Sequence, residues 1–134
     1  MDNLLLFVGT LTFGIGAYLK YEHSYKHASK ITPKIAKHFI KCGAKVLDVR
    51  TEGEFNLGSV TRKNSEGKDE TIAIHLPGKD INEDNLNDNG VNKDDIIIAF
   101  CNSGTRARQA ADKMIKLGYT NVFYIVETYR SLQE

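Results

Sequence analysis

Ile96–Ile125 reads IIIAFCNSGTRARQAADKMIKLGYTNVFYI, and its composition changes character three times. IIIAF (Ile96 to Phe100) is apolar at every position, as expected of a strand covered on both faces in a parallel sheet. CNSGTR (Cys101 to Arg106) is polar and carries a glycine, so it reads as a loop. Ala107, Ala110, Ala111, Met114, Ile115 and Leu117 then recur at helical spacing, with Gly118 as a C-terminal stop. NVFYIV (Asn121 to Val126) is a second strand. A strand, a helix and a second strand joined by short loops predict a parallel crossover, and hence an α/β domain.

Working outward, KVLDV (Lys45 to Val49) and TIAIHLP (Thr71 to Pro77) supply two further strands, four in all. Thr32-Pro33 marks a helix start, with Thr32 as N-cap and proline at the first helical position. Ile35, Ala36, Phe39 and Ile40 follow at helical spacing, and Gly43 ends the helix. The expected class is α/β: an open parallel sheet with helices on both faces. The stretches 61–70 and 78–95, rich in Asn, Asp, Gly and Lys, read as surface loops.

Cys101 lies at the carboxyl end of a buried strand and just before a helix, the place where open α/β sheets bind ligands. Free backbone N–H groups and the positive end of the helix dipole there favour a thiolate. Gly104 permits a tight turn, Ser103 and Thr105 offer hydroxyl donors, and Arg106 adds a fixed positive charge. The expectation is an anion-binding cradle around a reactive sulfur.

LDVRTEGEFNLGSV (Leu47 to Val60), AIHLP (Ala73 to Pro77) and the CNSGTR loop, in that order, resemble a single-domain rhodanese-like sulfurtransferase over roughly residues 31–132. The resemblance implies that Cys101 takes a sulfane sulfur from a small anion such as thiosulfate. It holds that sulfur as a persulfide and passes it to cyanide or a thiol. It also implies that Asn102, Ser103, Gly104, Thr105 and Arg106 bind the anion, that Asp48 and Arg50 brace the loop, and that no cofactor or metal takes part. Glu54 is the expected ion-pair partner of Arg50. Only four residues separate Cys101 from Arg106, a tighter loop than in the related phosphatases and arsenate reductases, which favours sulfur over phosphate chemistry.

Five positions depart from the family pattern. Ser59 stands where a histidine is usual, Asn102 where a basic residue is common, Glu127-Thr128 where a glycine pair shapes the rim, and Leu132 in place of a tryptophan. These departures leave a competing reading, in which the domain is a non-catalytic, membrane-tethered binding module. Cys42 at the end of the first helix is expected to be structural, and His75 to serve packing or solvent contact.

From Leu4 to Leu19 the chain carries no charged side chain, and its apolar residues fall on every face of a helix. At about 1.5 Å per residue, the uncharged stretch 3–21 nearly spans a hydrocarbon core of about 30 Å. Residues 1–21 are therefore expected to form one transmembrane anchor, 22–31 a basic linker, and 32–134 the rhodanese-like domain. The start MDN lacks the basic region of a cleaved signal. Lysines at 20, 26, 30, 34 and 37 place the domain on the cytosolic side of the membrane. With 18 Lys and Arg against 17 Asp and Glu, overall charge offers no reason to expect a nucleic-acid partner. Two cysteines in unlike contexts argue against a disulfide framework or a zinc site.

Overall fold

The structure, a computed structural model, describes residues 27–134. The expected anchor, and the linker up to residue 26, lie outside the described residues. No helix among those described is long and apolar enough to cross a membrane.

A five-stranded parallel sheet organises the domain: β1 (Ser29–Lys30), β2 (Lys45–Asp48), β5 (Ala73–His75), β6 (Ile96–Phe100) and β7 (Asn121–Tyr124) lie in the order β1-β7-β6-β2-β5. The all-apolar strand β6 sits at the centre of that order, between β2 and β7. Its side chains alternate between the two faces. Ile97, Ala99 and Cys101 join one core with Leu47, Val49, Leu86 and the buried stripe of α4 (Thr105–Lys116). Ile98 and Phe100 join the opposite core with Val46, Val60, Ile125, Leu132 and Ala36 of α1 (Pro33–Lys41). Helices thus cover both faces, as the apolar pattern predicts.

Both longer helices begin and end near their expected limits. In α1 the Thr32 hydroxyl accepts the Ile35 N–H at 3.3 Å, with Pro33 opening the first turn. Ile35 remains 45% exposed, so the buried face of α1 is narrower than the apolar spacing suggests. The last strand stops at Tyr124 rather than Val126.

Elsewhere the chain is more ordered than its polarity implies. Ser29–Lys30, expected in the linker, pairs with β7, and Ile31 N–H donates to Tyr124 O at 2.9 Å. The expected loop 61–70 is an antiparallel hairpin of β3 (Thr61–Lys63) and β4 (Asp69–Thr71), so the expected strand 71–77 divides between β4 and β5. Asn64 closes the hairpin turn by accepting the N–H groups of Glu66 and Lys68 through its side-chain oxygen. Within 78–95 lie a 3₁₀ turn, Gly78–Asp80, and α3 (Glu83–Asp88), N-capped by Asn82. Ile81, Leu86 and Val91 anchor this segment to the core, five residues apart and too sparse to show a helical stripe. A short helix, α2 (Glu52–Asn56), follows β2, and a 3₁₀ turn (Tyr129–Leu132) ends the fold.

Candidate active site

Chain direction brings the functional segments together, because β2, β5 and β6 are parallel and release their loops at one edge of the sheet. Cys101 follows β6 directly and is fully buried. Its sulfur accepts the backbone N–H of Gly104 at 3.1 Å and that of Ala107 at 3.4 Å. Curling the chain back on the sulfur requires a left-handed residue, and Gly104 has φ +93°. Space is equally restrictive, since a Cβ on Gly104 would lie 2.6 Å from Val126 Cγ1.

Arg106 opens α4 beside this loop, and Glu54 of α2 meets it with both carboxylate oxygens, at 2.7 and 3.1 Å. Glu54 also accepts the side-chain amide of Asn102, the Thr51 N–H and the Thr51 hydroxyl. One carboxylate thus ties the N-terminus of α2 to both ends of the Cys101 loop. The Arg106 guanidinium, with the Thr51 N–H second, holds the Glu54 carboxyl at about 2, below its ordinary 4.5. Arg106 is held more firmly in its charged form by Glu54 and, secondarily, by its nearness to Cys101.

The expected pairing of Glu54 with Arg50 is thereby corrected. Arg50 instead makes a two-pronged contact with Asp48, Nε to Oδ1 at 2.8 Å and Nη2 to Oδ2 at 2.6 Å, with both residues buried. Its Nη2 also donates to Gly58 O at 2.6 Å, and its guanidinium lies over Phe100 and Tyr129, 5.5 and 5.1 Å from the ring centroids. The hydroxyl of Ser59 donates to Asp48 Oδ2 at 2.8 Å, so the residue standing in the usual histidine position completes this buried network. Asp48 and Arg50 make no hydrogen bond to residues 102–106. Their link to the loop runs through Phe100, the residue before Cys101.

Ser103 and Thr105 are exposed, and among the described residues neither hydroxyl bonds the sulfur; the two donors there are backbone N–H groups. Glu127 folds back onto the Val126 N–H at 3.2 Å. Leu132 is buried in the second core. His75 stacks on Phe55 with centroids 4.5 Å apart, its Nε2 lying 2.8 Å from Arg50 O. Cys42 is exposed at the end of α1.

A cavity of about 770 Å³ opens at the same sheet edge, between Val49, Phe55, His75, Pro77 and Arg106. Cys101 is not among its lining residues. The Cys101 sulfur has no solvent exposure, and Arg106, which lines the cavity, is paired with Glu54.

The family model of the rhodanese-like domain matches residues 32–134. The chain belongs to the rhodanese-like domain family. This fold is typical of sulfurtransferases, and solved structures share it. The reduced Bacillus anthracis protein CoADR-RHD is similar at 21% identity and a TM-score of 0.55, over 78% of this chain but only 16% of that one. The human single-domain sulfurtransferase TSTD1 is similar at 20% identity and a TM-score of 0.58, over 78% of this chain and 94% of that one. A Staphylococcus saprophyticus protein is similar at 23% identity and a TM-score of 0.57, over 78% and 92%. At these identities the likeness is one of fold. No curated protein matches the chain in sequence.

The Glu54 geometry of this rhodanese-like domain carries a pH prediction. A carboxyl that titrates lower when folded contributes fully above its unfolded value and loses that contribution as pH falls through the folded one. Glu54→Gln is therefore expected to cost about 1 kcal/mol at neutral pH, in line with a half-exposed two-pronged pair. The gap from wild type should persist down to about pH 4.5 and close between there and about pH 2. Urea unfolding of both proteins across that window measures it, and a gap unchanged at pH 2 contradicts the assignment.

Proposed function

We propose that the chain is a sulfurtransferase that carries sulfane sulfur on Cys101. The observation that carries this reading is the pair of backbone N–H groups, Gly104 and Ala107, converging on the Cys101 sulfur at the start of α4. Such preorganised donors favour negative charge on sulfur, in the thiolate and in the persulfide alike. In the first step the Cys101 thiolate attacks the outer sulfur of thiosulfate. A sulfur–sulfur bond forms, the bond to the sulfite group breaks, and sulfite departs with the electron pair. In the second step cyanide or a thiolate attacks the terminal sulfur of the persulfide and releases the Cys101 thiolate. Asn102, Ser103, Gly104, Thr105 and Arg106 form the anion-binding loop in this reading, while Asp48 and Arg50 hold the strand end beneath it. Arg106 attracts the anionic donor, and no cofactor or metal is called on.

Cys101 has no solvent exposure, so in this reading the side chains around it shift to admit the donor. Thiocyanate formation from thiosulfate and cyanide tests the cycle. Cys101→Ser is expected to abolish it, Cys42→Ser to retain it, and Arg106→Ala to raise the thiosulfate KM at least about 10-fold. Equal turnover by wild type and Cys101→Ser would sink the proposal. The same burial of Cys101 favours one second reading, a non-catalytic membrane-tethered binding module. That module would show no turnover with any sulfane donor.

The proposal places this domain on the cytosolic side of a single-pass anchor formed by residues 1–21. The uncharged run Leu4 to Leu19 and the lysines that follow it support that placement. Resistance of the full chain to alkaline extraction from membranes tests it, and release into the soluble fraction contradicts it.

A further inference from the structure

Charge is nearly balanced over the whole chain, with 18 Lys and Arg against 17 Asp and Glu, but not along it. From Lys26 to Lys45 the sequence holds six lysines and no acidic residue. Helix α1 gathers three of them: Lys34, Lys37, His38 and Lys41 stand at i, i+3, i+4 and i+7, so they form one stripe along the helix. Ala36, Phe39 and Ile40 pack into the core on the other side. Lys34, His38 and Lys41 are exposed, and Lys37 is half-buried. Among the described residues Lys34 and Lys37 have no salt bridge, and Lys41 meets the exposed Glu134 at 3.8 Å. Ile35, 45% exposed, and Cys42, exposed at the helix end 4.0 Å from His38, flank the stripe on one side. This arrangement works against the helix taken alone. Lys37 and Lys41 repel each other across one turn, and Lys34 stands in the first turn, where the helix dipole disfavours a cation. An anionic surface laid along the stripe reverses both costs.

We propose that the exposed face of α1 docks on an anionic phospholipid surface, with Lys34, Lys37 and Lys41 among the headgroups. The inference rests on the membrane-anchored reading and is independent of the sulfur chemistry. Residues 20–32, between the uncharged run ending at Leu19 and the start of α1, reach at most about 45 Å when fully extended. A bilayer entered by that run is therefore always within reach of the stripe. Each lysine close to an anionic leaflet favours docking roughly 5-fold, so three together supply about 100-fold. Ile35 adds an apolar contact at the edge of the stripe, which a bilayer interface takes up and a nucleic-acid backbone does not. Helix α4 packs against the opposite core, so docking through α1 leaves the α4 side turned to solvent.

Cys42 is a native reporter beside the stripe, because it is exposed while Cys101 is buried. The full chain is reconstituted into vesicles of phosphatidylcholine alone or with phosphatidylserine. Alkylation by a polyethylene glycol maleimide, uncharged and too large to enter the headgroups, is then followed at each cysteine by peptide mass. On the anionic vesicles Cys42 is expected to react at least about 10-fold more slowly than on the neutral ones, and added salt should restore the faster rate. Lys34→Gln/Lys37→Gln/Lys41→Gln should react equally fast on both, whereas Lys34→Arg/Lys37→Arg/Lys41→Arg should keep the protection. Cys101 stays unlabelled in every protein that remains folded. Equal Cys42 rates for the wild type on the two vesicles, or protection that survives the glutamine substitutions, would overturn the proposal. Failure of the full chain to sediment with neutral vesicles would instead remove the anchor. Sedimentation with anionic vesicles that depends on the three lysines would then leave the docking face standing, and its absence there would overturn the docking face too.

Discussion

Arg50→Ala is expected to destabilise the domain by about 3–5 kcal/mol, the cost of breaking a buried ion pair from one side. The Asp48 carboxylate has no solvent exposure and receives the Arg50 side chain, the Arg50 N–H and the Ser59 hydroxyl. Without the guanidinium it keeps only the latter two as donors and no opposing charge. Arg50 also binds Gly58 O and lies against the rings of Phe100 and Tyr129, so alanine opens a void as well. In a domain of this size the loss should lower Tm by more than about 10 °C. The double variant Asp48→Leu/Arg50→Met removes both charges and fills the space. It is expected to recover most of the stability, because a buried pair contributes little beyond a well-packed apolar substitute. A loss below about 1 kcal/mol for Arg50→Ala, measured by urea unfolding, would contradict the assigned network.

Gly104→Ala is expected to lower sulfur transfer at least about 100-fold, the usual scale for losing one preorganised backbone donor. The added Cβ would sit 2.6 Å from Val126 Cγ1 and 2.9 Å from the Val126 main chain, on a backbone at φ +93°. Left-handed strain and overpacking together are worth about 2–4 kcal/mol. The loop relieves them by turning the Gly104 N–H away from the Cys101 sulfur. Val126→Ala in the same protein removes the clash with Cγ1, but the close approach to the Val126 main chain and the left-handed strain persist, so rescue should be partial. Near-wild-type transfer by Gly104→Ala would show that this donor does no work. The domain should stay folded at 25 °C, which circular dichroism checks.

Arg50 and Gly104 differ in how legible their surroundings are in sequence. Cys101, Gly104 and Arg106 stand together where a fully apolar strand gives way to a striped helix, so their order along the chain already places them at one strand-to-helix junction. The sheet is legible for the same reason, because β6 is apolar throughout and α4 shows one buried stripe. The hairpin β3–β4 escapes detection because Thr61–Thr71 (TRKNSEGKDET) has no apolar face. Backbone pairing and the Asn64 turn hold it. Helix α2 does leave a signal, the T-x-x-E pattern of Thr51 and Glu54, which the structure shows as a capping box.

Glu54 shows where sequence reasoning stops. Its nearness to Arg50 along the chain suggests a local pair, yet Asp48 already saturates that guanidinium from within the buried strand end. Glu54 is left to meet Arg106, 52 residues away. Ser59 is a similar case: a departure from the family pattern in sequence, and in the structure a donor to the buried Asp48.

Intact-mass measurement of the full chain before and after thiosulfate, beside Cys101→Ser, tests the central claim most directly. The wild type is expected to gain the mass of one sulfur atom and to lose it on addition of cyanide, while Cys101→Ser gains nothing. A folded wild type that gains no sulfur, or a Cys101→Ser protein that gains as much, would contradict Cys101 as the sulfur carrier.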